Sequence, residues 1–311
     1  YDDLVKLASS HLMLPALYIK LKQNKLLNLI DDDFKKYLKN IYELNKSRNN
    51  NLLKELIELS NLYVKNEIKH VFLKGSAYMA YNRFNDIGER MVGDIDVLVD
   101  KSDYEKSIQL SKKFGYNNNY PSFLNNRHYP RLVHPKKLFA LEIHHKLLLK
   151  NNKLLSTRSL IQNKIKTEDG VYVPNKIECI LHTIYDSQIN NSGNLYANIS
   201  YRHHYDIAFY NSEINELLNF KRSKYINNFF LISDYIGITN TNIIGDKLHI
   251  FNRLYLFRFK TKLKFKAYNI LDTFISLQIS FARTRINKIY RLFKNSKYRL
   301  YFFKKIIRKF K

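Results

Sequence analysis

Asp94 and Asp96 stand inside an apolar run, Asp94-Ile95-Asp96-Val97-Leu98-Val99, that is rich in β-branched residues and alternates as a strand does. In a strand, residues i and i+2 share a face, so the two carboxylates project side by side while Ile95 and Val97 turn into a core. Carboxylates that close repel unless they sit in water, one takes a proton, or a divalent cation lies between them. The apolar setting makes water the weakest of the three answers. Asp is itself disfavoured in strands, so the position accepts a local cost of the kind functional sites accept. Mg2+, or Mn2+ in its place, takes carboxylate oxygens together with substrate phosphates, and a pair of such ions activates an attacking oxygen and stabilises a leaving one.

Lys74-Gly75-Ser76 supplies the complement. His70-Val71-Phe72-Leu73 reads as a short buried strand that stops at Gly75, and the residues from Ser76 onward suit a helix. A strand that turns into a helix leaves free N–H groups and a positive dipole end, where phosphates bind. Gly permits close backbone approach and the Ser hydroxyl adds a hydrogen bond. The combination predicts a triphosphate at Gly75 and Ser76, with metal on Asp94 and Asp96. Either motif alone is common in proteins with no such site; their order on strand, turn, helix, loop and strand makes the pair specific. Glu142, between Leu141 and Ile143, is another acid where the pattern wants a strand. It reads as a third metal ligand, or as a base for an acceptor hydroxyl, or else as an edge-strand Glu facing water.

The histidine pairs are poor zinc candidates. His144 and His145 point to opposite faces of a strand, His203 and His204 diverge on a helix, and zinc needs three or four converging ligands. His144 is instead placed to orient a carboxylate or a phosphate. Arg202 and Asp206, at i and i+4, read as a helix surface pair.

Three segments must position these residues. Residues 1–69 have the three- and four-residue spacing of helices, with Asn45-Lys46-Ser47-Arg48-Asn49-Asn50-Asn51 as the exposed face of a longer one. Residues 70–174 alternate strand and helix signals: a helix over 101–116 that stops at Gly115, then strands over 126–135 and 137–149. Residues 175–311 read as helical throughout.

The chain has 311 residues, enough for a real core, and a net charge of +26. From Phe251 to Lys311 there are 18 Lys or Arg and one acid, Asp272, so the tail alone carries +17. Its aromatics and cations interleave, a pattern that suits base stacking and phosphate contact, or an amphipathic helix on an anionic membrane surface. The single sign of the charge points to a polyanionic partner, RNA first and membrane surface second. Cys179 is the one cysteine, so no internal disulfide forms, and it reads as a small buried residue. The absence of a long apolar run or a signal peptide makes a reducing cytoplasm the default expectation.

With these residues in hand, the stretch from Val71 to Tyr116 resembles the bacterial uncharacterised nucleotidyltransferase family of the polymerase-beta-like superfamily. Leu73-Lys74-Gly75, Arg90, Asp94-Ile95-Asp96 with Val97-Leu98-Val99, and Gly115-Tyr116 carry the likeness, followed by Glu142-Ile143-His144, His182, and Arg202 with Asp206. It extends over roughly residues 1–210 and leaves the basic tail unplaced. The resemblance implies an α+β fold: a polymerase-beta-like nucleotidyltransferase core with a mixed β-sheet, flanked by N-terminal and C-terminal helical regions. It implies metal-dependent transfer of a nucleotidyl group from an NTP to an acceptor hydroxyl, on RNA such as tRNA or on protein, a chemistry also used by toxins and defence effectors. Asp94, Asp96 and Glu142 would hold Mg2+, Gly75 and Ser76 the triphosphate, and Lys74 and Arg90 would offset phosphate charge. Arg202 and Asp206 would buttress the site. Two alternatives stand beside it: a catalytically silent relative that binds RNA or membrane, and a phosphotransferase using the same site.

Overall fold

The computed structural model describes residues 1–82, 84–118, 127–149, 155–220, 223–241 and 249–307. It is an α+β protein in which helices surround a small mixed sheet. Helices α1 (Asp2–Ser10), α2 (Leu14–Gln23) and α3 (Asp32–Lys65) open the chain. Pro15 lies in the first turn of α2, where its missing N–H costs nothing, and Asp31 caps α3 by accepting the Phe34 N–H at 2.7 Å.

The sheet has the order β1-β2-β3, with β1 at His70–Leu73, β2 at Asp94–Val99 and β3 at Ala140–His144. β1 and β2 are antiparallel, pairing Leu73 with Asp96, and β2 and β3 are parallel, pairing Asp96 with Glu142. Between the strands lie α4 (Lys74–Ala80) and α5 (Tyr104–Lys113); Gly115 takes φ 105° just beyond α5, as the helix-stop reading required. Ile95, Val97 and Leu98 are fully buried in one cluster with Leu52, Leu56 and Tyr63 of α3 and with residues of the later helices.

The expected strand over 126–135 does not form. Its described residues make only isolated bridges, His128 to His144, Leu132 to Leu141 and Val133 to Asn117, because Pro130 and Pro135 have no N–H to give a ladder. After α6 (Thr157–Gln162) and the hairpin β4–β5 (Ile165–Lys166, Tyr172–Val173), the chain is helical as expected. It runs through α7 (Lys176–Tyr185), a π-helical turn at Asp186–Asn190, α8 (Gly193–Tyr196), α9 (Tyr201–Ala208), α10 (Asn211–Phe220) and α11 (Lys224–Tyr235). The basic tail forms α12 (Ile250–Lys264), α13 (Lys266–Lys294) and α14 (Ser296–Ile307). No helix among the described residues is long and apolar enough to cross a membrane. Cys179 is buried in the core.

The polar stretch 45–51 lies within α3 and exposes Ser47 and Asn50, but one of its faces turns inward. Asn45 and Asn49 are buried, and their amides hold the loop after α4: Asn45 donates to the Gly88 carbonyl at 2.8 Å, and Asn49 to Ile87 and Arg90 at 2.6 and 2.8 Å. Gly88 is required for this approach, since a Cβ there would meet the Tyr42 ring at 2.5 Å.

Candidate active site

Sheet pairing assembles the acids. Asp94 and Asp96 share the face of β2 opposite Ile95 and Val97, and the parallel register sets Glu142 directly beside Asp96. Asp96 is almost wholly buried, and two side chains share its Oδ1: Lys74 Nζ at 2.7 Å and His144 Nε2 at 2.8 Å. Burial opposes charge on Asp96, but Lys74 and His144 outweigh it and hold the carboxyl far below the ordinary aspartate range. Glu142 is likewise opposed by burial and lowered by its hydrogen bond to His144; its Oε2 lies 3.6 Å from His144 Nε2 and 3.9 Å from His128 Nε2. Among the described residues Asp94 forms one ion pair, with Arg131 at 3.6 Å. Burial, then repulsion from Asp96 and Glu142, push Asp94 up to about 6.

Lys74 reaches Asp96 because of where the backbone turns. β1 ends extended at Leu73, and Lys74 takes φ 52° as α4 begins. For a residue with a Cβ this left-handed conformation costs on the order of 1 kcal/mol, strain of the kind found at functional sites. Burial would lower the Lys74 ammonium, but Asp96 and Asp186 raise it above its usual range.

Lys74, Asp94 and Asp96 border a cleft of about 210 Å3. Lys74, Gly75, Asp94 and Asp96 come from the sheet side; Thr183, Asp186, Arg202 and His203 come from α7, the π-helical turn and α9. Asp186 accepts from Asn190 at 2.7 Å and Asn191 at 3.1 Å; burial opposes its charge, but Lys74 and His182 hold its carboxyl well below the usual range. Burial lowers His203 to about 4, so it faces the cleft neutral at pH 7.

The two arginines behave differently. Arg90 is buried and makes a bidentate pair with Asp206, at 2.9 and 2.7 Å, and donates to the Met91 carbonyl at 2.5 Å. Asp206 is thus the partner of Arg90 and not of Arg202, contrary to the i, i+4 surface pair expected from spacing; both of its oxygens face Arg90 from α9. Arg202 makes no hydrogen bond or ion pair among the described residues, and its Nε is buried without a partner. Burial and the Arg90 charge lower its pKa. Gly75 lets Arg90 in: a Cβ at Gly75 would stand 2.9 Å from Arg90 Nη1 and 3.1 Å from Val92. Ser76 is fully buried, its hydroxyl has no partner, and it is not part of the cleft wall.

Sequence reasoning missed Asp186, His128 and Arg131, and weighed His203 only as a zinc ligand and not as a cleft residue. Asp186 sits four residues after His182, which instead is buried with a pKa lowered by burial to about 4. Asp186 keeps helical backbone angles and continues the face that Thr183 presents to the cleft three residues earlier, and nothing in the local sequence signals that this face meets the acids.

Asp96, Glu142 and His144 offer one ligand atom each within 4.8 Å of one another. The oxygen-rich donor set and the repulsion that Lys74 and Arg131 leave only partly offset at Asp94 fit a hard divalent cation. The fold and the cleft define an α+β protein that carries a carboxylate cluster on a mixed sheet, faced by basic side chains. The family of uncharacterised nucleotidyltransferases matches residues 1–222, and the chain belongs to that family. The family implies a nucleoside triphosphate as substrate. No curated protein and no solved structure matches the chain.

Proposed function

We propose that this protein transfers a nucleotidyl group from a nucleoside triphosphate to an acceptor hydroxyl, with Mg2+ or Mn2+ held by Asp94, Asp96 and Glu142. The observation that carries the reading is the parallel register of β2 and β3, which puts Glu142 beside Asp96, on the face from which Asp94 and Asp96 border the cleft. A divalent cation bound there supplies positive charge to the attacking and leaving oxygens. His144 fixes the Asp96 carboxylate, and its Nε2 lies within reach of Glu142. Arg202 is the guanidinium with capacity to spare, so it meets the triphosphate, with Lys74 beside the Gly75 turn. Arg90 is committed to Asp206 and acts as a strut for the turn. Ser76 contributes through its backbone, since its hydroxyl is sealed away. Segments 1–69, 70–174 and 175–311 serve as helical support, catalytic core and helical C-terminal domain.

The test is incubation with each α-labelled NTP, Mg2+ and total cellular RNA or protein. Label in a macromolecule that disappears in the Asp94→Asn/Asp96→Asn variant supports the proposal. Transfer of γ-label instead makes the protein a phosphotransferase, and no transfer of either label makes it a silent relative.

A further inference from the structure

α13 is mounted with its polar side inward. Asp272 and Ser276, one turn apart, face the body: Arg258 of α12 forks both oxygens of Asp272, and Lys262 reaches Oδ2 at 3.1 Å. Ser276 accepts from Arg258 at 2.8 Å and donates to the Leu195 carbonyl at 3.3 Å. Asp272 is 9% exposed and Ser276 1%. The opposite side is apolar and open. Ile270, Phe274, Leu277 and Phe281 follow one another at helical spacing, and Ile286 and Phe293 continue the open surface at 65% and 78% exposure. A surface helix ordinarily turns its apolar stripe to the core, and a scattered exposed Leu needs no explanation. Exposed apolar side chains thus recur over about 35 Å of α13, on that side up to Phe281 and then, with Ile286, Ile289 and Phe293, further round the helix, and an open apolar surface of that extent marks an interaction face.

Charge selects what covers it. From Arg283 to Lys305 the chain has nine Lys or Arg and no acid. A second copy would bring the same sign to the same stripe. A nucleic acid would satisfy the cations and could stack on Phe274 or Phe281, but Ile270, Ile275, Ile286 and Ile289 would gain nothing from a phosphate backbone. An anionic bilayer takes both, with aliphatic side chains in the acyl boundary and ammonium and guanidinium groups at headgroup phosphates. We propose that α13 and α14 seat the protein on the surface of an anionic lipid bilayer, lying in its plane. The helices lie outside residues 1–222, so this inference stands independently of the reading of the cleft.

The test uses the full chain with vesicles of equal parts phosphatidylglycerol and phosphatidylcholine, and with phosphatidylcholine alone, in a flotation assay. The expected result is flotation with the anionic vesicles, weakened by salt, and none with the neutral ones. Because the chain has no Trp, Phe281→Trp creates a single emitter; its emission should shift blue with anionic vesicles and be quenched by brominated acyl chains. The variant Ile286→Ser/Ile289→Ser/Phe293→Ser alters only exposed side chains, so its melting temperature should hold while lipid partition falls on the order of a hundredfold. The proposal is overturned if the protein ignores anionic vesicles or if their binding survives the triple variant. It is equally overturned if that variant abolishes self-association or RNA binding in a protein that never floats.

Discussion

Arg202 and Arg90 border one cleft, yet their removal should have opposite consequences. Arg90 is buried against Asp206 by two short hydrogen bonds, so Arg90→Met leaves a buried carboxylate without its counter-charge. Losing one partner of such a pair costs ~3–5 kcal/mol of folding stability. Arg202 has no partner among the described residues and sits near the Arg90 charge, so Arg202→Met should leave stability unchanged or slightly raised. What it should remove is affinity for nucleotide. A charge-assisted hydrogen bond contributes ~1.5–3 kcal/mol, about a 10- to 150-fold rise in Kd. The effect is legible in thermal unfolding with and without NTP. A ligand at a hundred times its Kd stabilises by ~2.7 kcal/mol, and a hundredfold weaker one at the same concentration by only ~0.4 kcal/mol. Arg202→Met should therefore melt like the parent alone and lose most of the nucleotide-induced shift. If it unfolds as readily as Arg90→Met, or keeps the full shift, the assignment of the triphosphate to Arg202 is wrong.

Asp96→Asn should lower nucleotidyl transfer on the order of a hundredfold or more, measured as initial rate with α-labelled NTP, because it removes the charge that Lys74 and His144 organise. Asp94 gives a pH signature. Its folded pKa of about 6 lies above the unfolded value near ~3.9, so in that window the folded chain binds the extra proton and stability falls as pH rises. In EDTA, Asp94→Asn should therefore gain stability relative to the parent above pH ~6 and lose that advantage below ~4, by urea unfolding. Gly75→Ala should cost ~1–3 kcal/mol, since its Cβ falls 2.9 Å from Arg90 and both that side chain and Val92 must give way; a chemical melt reads it.

The acids were legible because a strand with period two leaves little freedom: Asp94 and Asp96 had to share a face, and Glu142 had an apolar neighbour on each side. Their meeting depended on strand pairing, which no local pattern encodes, and the parallel register supplied it. Asn45 and Asn49 misled because asparagine runs usually face water; here a loop without its own ladder needed donors, and α3 provided them. Arg202 and Asp206 misled for the reverse reason. The i, i+4 rule describes an isolated helix, whereas Asp206 had a stronger bidentate offer from Arg90 across the fold. Lys74 illustrates a residue that was placed correctly but not understood. Its neighbour Gly75 drew attention, yet the left-handed turn falls on the lysine, and Gly75 is needed for room. Asp186 was out of reach because its meeting with Lys74 depends on how α7 packs across the sheet, which no local pattern encodes.

The parallel pairing of β2 with β3 also sets what kinds of change this protein can absorb. The chain wanders from Val99 to Ala140 before returning, and an inserted or lost residue in that excursion can be taken up without moving a strand. Between Ala140 and His144 there is no such slack. One residue added there would rotate Glu142 to the far side of the sheet and bring an aliphatic side chain to the face that carries Asp94 and Asp96. Length variation among relatives should therefore collect in the excursion, while the five residues of β3 keep their count even where their identities drift.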